Sequence, residues 1–454
     1  MDYTPDAVDA LAPTAEMPIF FHRHRRLLRI ATSLAGTTDD LMDELYKMAA
    51  DDYNACVATQ RQDGSDEAVG QVMAASLKAI EDHDNGLQMV ELLRSIPKEV
   101  VTSIIDNTIG HRYKTDANFR KLFMALEGAG VYLNTIIVKG TGKGLTRHEW
   151  ESLQAMIQRY VNGKGVVLGP TSSPTDIANS VEAATIERRY RYSRRSQAEC
   201  QAGTAAGKRE LVQGNNKSAI FYQRLSKRIN PQLDPSGDVR QLQSLTQVGC
   251  SNTLNTRMGQ YQPRTGMKST PKTWQLVLGC LAVLGIDVEI VGLPILKIWK
   301  EEHLELSEIL VTSLAGSLIE QYGINPVAPG TQSFNGDNLD LETEEVFEEC
   351  SWVFDNMKHD IDLARRRLDA VKSIKRLADS EDTLDTVKDI KEHVTKASQR
   401  GAEHSLNVAD LTRKLQRAKD AENDRIANLT EASVKKEGYT SFSTGVQKWL
   451  TRRM

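Results

Sequence analysis

Two residues fifty-one positions apart, Arg257 and Glu308, are of the types that phosphodiester chemistry uses. A guanidinium stays charged at physiological pH and forks onto two oxygens of a phosphate. A carboxylate can hold a hard divalent cation, which polarises a phosphoryl oxygen and stabilises a leaving group. An arginine and a glutamate facing one phosphodiester are therefore the groups that its cleavage needs. Gly249, eight residues before Arg257, closes a short apolar run, and a side chain this small lets backbone approach a nucleic acid. Asn325 follows the segment that carries Glu308.

Elements must position these groups, and the pattern supplies them. Gln243–Gly249 and Val288–Leu296 read as strands of one small sheet, Trp274–Leu284 as a helix, and 301–322 as a helix with Leu306, Leu310, Leu314 and Leu318 on one side. In this order Gln247-Val248-Gly249, Arg257, Glu308 and Asn325 resemble the GIY-YIG nuclease family. Gln247-Val248-Gly249 stands where that family has Tyr-Ile-Gly. Tyr261 stands four residues after the arginine, where histidine is frequent, and Ile220-Phe221-Tyr222 is the candidate for the first triplet, without its glycine. The resemblance covers residues 218–326. It implies a β-β-α-α-β-α module in which Arg257 clamps the phosphate, Glu308 holds Mg²⁺, Tyr222 or Tyr261 serves the attacking water, and Gly249 and Asn325 lie on the nucleic acid.

The best nucleic-acid feature outside that module is a basic run over 188–228, with Arg188, Arg191 and Arg195 at its start. Its alternative is a charged face that pairs with the acidic segment 337–349. Lys139-Gly140-Thr141-Gly142-Lys143-Gly144 looks like a phosphate loop but has Ile137 and Gly144 where a Walker loop has its first glycine and its hydroxyl, so it reads as a turn.

The rest of the chain is helical in pattern. The expected class is α+β: a mostly helical protein with a small central α/β module and a C-terminal helical hairpin or coiled coil. Residues 1–170 form a helical region of unassigned role, 171–217 a linker and basic helix, 218–326 the module, 327–343 a linker, and 344–454 a helical region with a basic tail. Phe347, Cys350, Phe354, Met357, Ile361, Ala364, Leu368 and Val371 alternate steps of three and four, a heptad seam that packs on a helix over 384–430 or on a second copy through 345–378.

Composition bounds the function. The 454 residues are 40% hydrophobic and 26% charged, with a net charge of −4, so any polyanion site must come from local charge. Five scattered cysteines exclude a disulfide framework and a cysteine zinc site. The acidic start lacks an apolar h-region, and the most apolar stretch is interrupted by Asp287, Glu289 and Pro294. The expectation is an intracellular protein, of nucleus or cytoplasm, that is neither secreted nor membrane-bound. Two functions compete. One is a nucleic-acid-binding, Mg²⁺-dependent endonuclease module, active or degenerate. The other is a non-catalytic helical scaffold that oligomerises through its C-terminal helices.

Overall fold

The computed structural model describes residues 36–63, 71–123, 128–162, 167–189, 209–211, 217–265, 269–300, 303–321, 323–330 and 352–378, with a few isolated positions besides. It divides into two compact units, 1–365 and 366–454. Among the described residues the protein is mostly helical with one three-stranded antiparallel sheet, an α+β fold. No helix among them is long and apolar enough to cross a membrane.

In the first unit the helices described before the sheet are α1 (Thr38–Asp63), α2 (Gln71–Glu81), α3 (His83–Arg94), α4 (Lys98–Ile105), α5 (Ile109–Thr115) and α6 (Ala117–Arg120). Strand β1 (Gly130–Val138) follows, then α7 (Arg147–Asn162), α8 (Pro174–Arg188) and α9 (Lys217–Leu225). Strand β2 (Leu245–Ser251) leads to α10 (Leu254–Gly259) and α11 (Lys272–Val283), and β3 (Val288–Lys297) to α12 (His303–Ala315). Helix α13 (Trp352–Ala378) begins in this unit.

Both expected strands form, but they do not pair with each other. β1 lies between them, antiparallel to each, with Tyr132 opposite Gly249 of β2 and Pro294 of β3. The strand Gly-Val-Tyr-Leu-Asn-Thr-Ile-Ile-Val is rich in β-branched residues, and all nine of its positions are buried. A strand buried on both faces needs a core on each. Val131, Leu133 and Ile137 join Val248, Leu293 and the residues of α3, α4 and α12 in one core. Tyr132, Ile136 and Val138 join Leu245, Tyr261 and the residues of α7 and α11 in the other. The sheet is thus not confined to 218–326: its central strand comes from a segment that pattern alone leaves in the N-terminal region. Segment 139–144 is the tight turn after β1, with Gly140 and Gly142 at positive φ and Val138 N–H bonded to Lys143 O at 2.7 Å.

α13 docks through a face other than the heptad seam. Trp352 Nε1 donates to Ser95 O at 2.8 Å, and Asn356 Nδ2 donates to Arg94 O and Ile96 O, carbonyls at the end of α3. Asp360 accepts from Thr38 N–H at 3.0 Å, at the start of α1, and pairs with Arg94 Nε at 3.0 Å. Val353 and Leu363 are buried beside them, whereas Phe354, Met357 and Ile361 are exposed. In the second unit the described residues are mainly the last turns of α13, where Leu368, Val371 and Ile374 are exposed. Phe347, Cys350, the acidic segment 337–349 and nearly all of 384–430 lie outside the described residues.

Candidate functional site

β2 ends at Ser251, whose hydroxyl accepts from Thr253 N–H at 3.1 Å, and this turn starts α10. Arg257 sits on α10, and its side chain is held from two sides. Nε donates to Tyr132 Oη at 3.2 Å, and Nη1 donates to Gln260 Oε1 at 2.6 Å. The guanidinium also lies 5.4 Å from the centre of the Tyr261 ring.

The two phenols form one unit. Tyr132 Oη donates to Tyr261 Oη at 3.2 Å, their rings meet edge to face, and Tyr261 packs in the same way on Trp274. Burial, helped by the neighbouring Tyr261, pushes the Tyr132 phenol well above its ordinary pKa against the pull of Arg257. Burial raises Tyr261 as well. Both are neutral hydrogen-bonding groups at physiological pH.

Gly249 has a steric reason to be glycine. A Cβ there would lie 2.4 Å from Tyr132 Oη and 2.6 Å from its Cζ, so the Tyr132 ring crosses β2 in the space that a side chain would fill. The close approach expected for a nucleic acid is made by Tyr132 itself.

Glu308 projects from α12 beside the end of β2. One oxygen, Oε2, accepts from Gly330 N–H at 2.9 Å and from the Cys250 thiol at 3.3 Å. Burial raises the pKa of this carboxyl, while those two donors and the Arg257 charge lower it. Asn325 is fully engaged with backbone. Val248 N–H donates to its Oδ1 at 2.9 Å, and its Nδ2 donates to Val248 O at 2.7 Å. Ile324 N–H donates to Thr246 O, so this segment covers the free edge of β2.

Tyr132, Gly249, Arg257, Tyr261, Glu308 and Asn325 line one pocket of about 120 Å³, closed on its other side by Pro271 and Pro326–Ala328. Arg257 and Glu308 share it without pairing with each other. Tyr222 is not there. Residues 217–225 form a helix rather than a strand, and Tyr222 packs on α7, its hydroxyl accepting from Gln158 Nε2 and its carbonyl from Gln154 Nε2. Arg188 ends α8 and turns back on its own helix, to Ala184 O and Thr185 Oγ1. Arg191 and Arg195 lie outside the described residues. The residues that pattern missed are Tyr132 and Cys250. The signal for Tyr132 is the triplet Gly130-Val131-Tyr132 at the head of a β-branched run.

Among the described residues no three His, Cys, Asp or Glu side chains cluster as a metal cage. Glu308 is the single carboxylate among the described residues that line this pocket. Glu308 Oε1 has no protein partner among the described residues, and Mg²⁺ is commonly bound by one carboxylate, with waters and phosphate oxygens completing its shell. Compared with protein-family models, with curated proteins and with solved structures, the chain has no match.

Proposed function

We propose that the first unit contains a GIY-YIG-like module, residues 218–326 together with β1, that binds nucleic acid and cleaves a phosphodiester with Mg²⁺. One observation carries this reading: Tyr132, Arg257, Tyr261 and Glu308, from three parts of the chain, converge on one pocket. The element order supports it. In this reading Gly130-Val131-Tyr132, at the head of β1, stands in for the first triplet; its Tyr132 lies opposite Gly249, the last residue of Gln247-Val248-Gly249 on β2. Arg257 follows on the next helix, and Glu308 on the helix after β3.

The chain's own residues divide the work. Tyr132 and Gln260 hold the guanidinium of Arg257, which leaves Nη2 for a phosphate oxygen and sets its direction in advance. Glu308, fixed at Oε2 by Gly330 and Cys250, would hold Mg²⁺ through Oε1. When bound, that ion supplies Lewis-acid stabilisation of the developing phosphate charge. Burial keeps the phenols of Tyr132 and Tyr261 neutral, so they orient groups rather than remove protons, and Gln247 stands where the family has a tyrosine. Asn325 acts on the nucleic acid only indirectly, by fixing the β2 edge.

The test is cleavage of labelled single-stranded, duplex and branched DNA and RNA, with Mg²⁺ and with EDTA. Cleavage by the parent is expected to be lost in EDTA and in Glu308→Gln, and to fall on the order of 10²–10³-fold in Arg257→Ala. Unchanged cleavage by Glu308→Gln would remove Glu308 from the site. No cleavage of any substrate would leave a binding module. The basic run supplies affinity in this reading, so Arg191→Glu with Arg195→Glu is expected to weaken binding and flatten its salt dependence. A second reading, an interaction scaffold or homo-oligomer working through 345–378, rests on the apolar side chains that α13 leaves exposed.

A further inference from the structure

Away from this pocket, the first unit carries a larger groove of about 420 Å³, between α1 and the corner where α2 meets α3. Its floor is apolar: Met42, Ile80 and Val90 are buried, and Leu87 stands on the rim 59% exposed. Its sides carry four carboxylates, Asp39, Asp43, Glu81 and Asp82, and no lysine or arginine among the described residues lines it.

Among the described residues the charges of Asp39, Asp43 and Glu81 are weakly answered. Asp39 reaches Arg94 at 3.7 Å from an exposed position. Among the described residues Glu81 accepts a neutral hydrogen bond, from Tyr46 Oη at 3.3 Å. Asp82 accepts from Asn85 N–H at 3.1 Å, at the start of α3. Asp43 is exposed and has no side-chain partner among the described residues.

Gly86 is the independent observation. It lies inside helix α3, where glycine is about 1 kcal/mol worse than alanine. Yet a Cβ there would meet no atom within 4 Å. Nothing among the described residues requires a glycine at this position, which lines the groove. A missing side chain at the wall of a groove lets another backbone come close.

We propose that this groove docks a basic amphipathic helix of a partner protein. Its apolar face fills the floor formed by Met42, Ile80 and Val90, its Lys and Arg side chains meet the four carboxylates, and its backbone crosses at Gly86. Helix-in-groove recognition uses an apolar floor of this kind, and the charge around it selects the sign of the partner. A second copy meeting the same face would set these carboxylates against each other.

The experiment uses the full chain and a labelled helical peptide of leucine and lysine in amphipathic order, read by fluorescence anisotropy. The same peptide with glutamate for lysine is the control. The lysine peptide is expected to bind and the glutamate peptide not to. Gly86→Phe, which fills the groove at constant charge, and Asp43→Lys, at an exposed position that folding tolerates, are each expected to weaken binding at least roughly tenfold. Neither variant is expected to melt below the parent, and Gly86→Phe is expected to gain slightly from leaving a helix-interior glycine. Equal affinity of the lysine peptide for Gly86→Phe, Asp43→Lys and the parent would overturn the proposal. So would equal binding of the two peptides, or self-association of the chain that Gly86→Phe abolishes.

Discussion

Gly249 and Tyr132 depend on each other across the sheet. The tyrosine hydroxyl both holds Arg257 Nε and meets Tyr261, and it can do so only because position 249 has no side chain. Gly249→Ala forces a methyl group against that ring and is expected to cost about 1–3 kcal/mol in urea unfolding, the usual scale of overpacking. Tyr132→Phe leaves Arg257 Nε and the buried Tyr261 hydroxyl without their partner, with a cost of about 1–3 kcal/mol. Wild-type stability in either variant would show that the phenol is not held as described. At this scale the sequence is informative about chemistry and blind to distance. Arg257, Glu308, Tyr261, Gly249 and Asn325 are named through the family resemblance and all five line one pocket, whereas Tyr222, named with them, packs on α7. Tyr132 cannot be found that way, because β1 and β2 are neighbours in the sheet while residues 139–244 lie between them in the chain. Asn325 can be located, but its bonding to Val248 is a product of the fold.

Helices show where pattern reading falls short. On α13 the heptad seam is the strongest periodic signal, yet the docked face is the mixed one with Trp352, Val353, Asn356, Asp360 and Leu363. The reason is that helix ends leave carbonyls and N–H groups unmet, and α13 supplies both kinds of partner. Asn356 serves the carbonyls at the end of α3, and Asp360 serves Thr38 N–H at the start of α1. A periodicity count sees apolar faces and not polar groups that cap a neighbour. Asp360→Ala is therefore expected to lose about 1–3 kcal/mol, since it removes a cap and the partner of Arg94. Ile361→Ala, at an exposed seam position next door, is expected to stay within about 0.5 kcal/mol of the parent. Urea unfolding of the two variants compares these faces directly. A larger loss from Ile361→Ala would show that the seam, and not the capping face, is what packs.

The stability of the first unit as a whole carries a pH signature. Its two cores share one sheet, so a charge buried anywhere against them acts on the same folded state. Glu320 follows α12 with its Oε2 buried and unpartnered, and burial raises its pKa from 4.5 to about 7 against the opposing pull of Lys217 and Arg224. Burial likewise raises Asp106 from 3.8 to about 6, opposed by its Thr108 hydrogen bond and by Arg112. A carboxyl whose folded pKa is raised binds its proton more tightly in the native state, so folding is favoured while it is protonated. For Glu320 the cost is absent below about pH 4.5, grows as pH rises, and is complete above about 7; for Asp106 the window is 3.8 to about 6. The shift at Glu320 corresponds to a penalty on the order of 3 kcal/mol at high pH. Glu320→Gln keeps the shape and removes the charge. It is expected to raise the melting temperature at pH 8, to match the parent near pH 4.5, and to flatten the fall in stability between those values. Melting curves across that range decide it: a variant whose melting temperature falls with pH as steeply as the parent's would show that Glu320 is solvated and ionised in the folded protein.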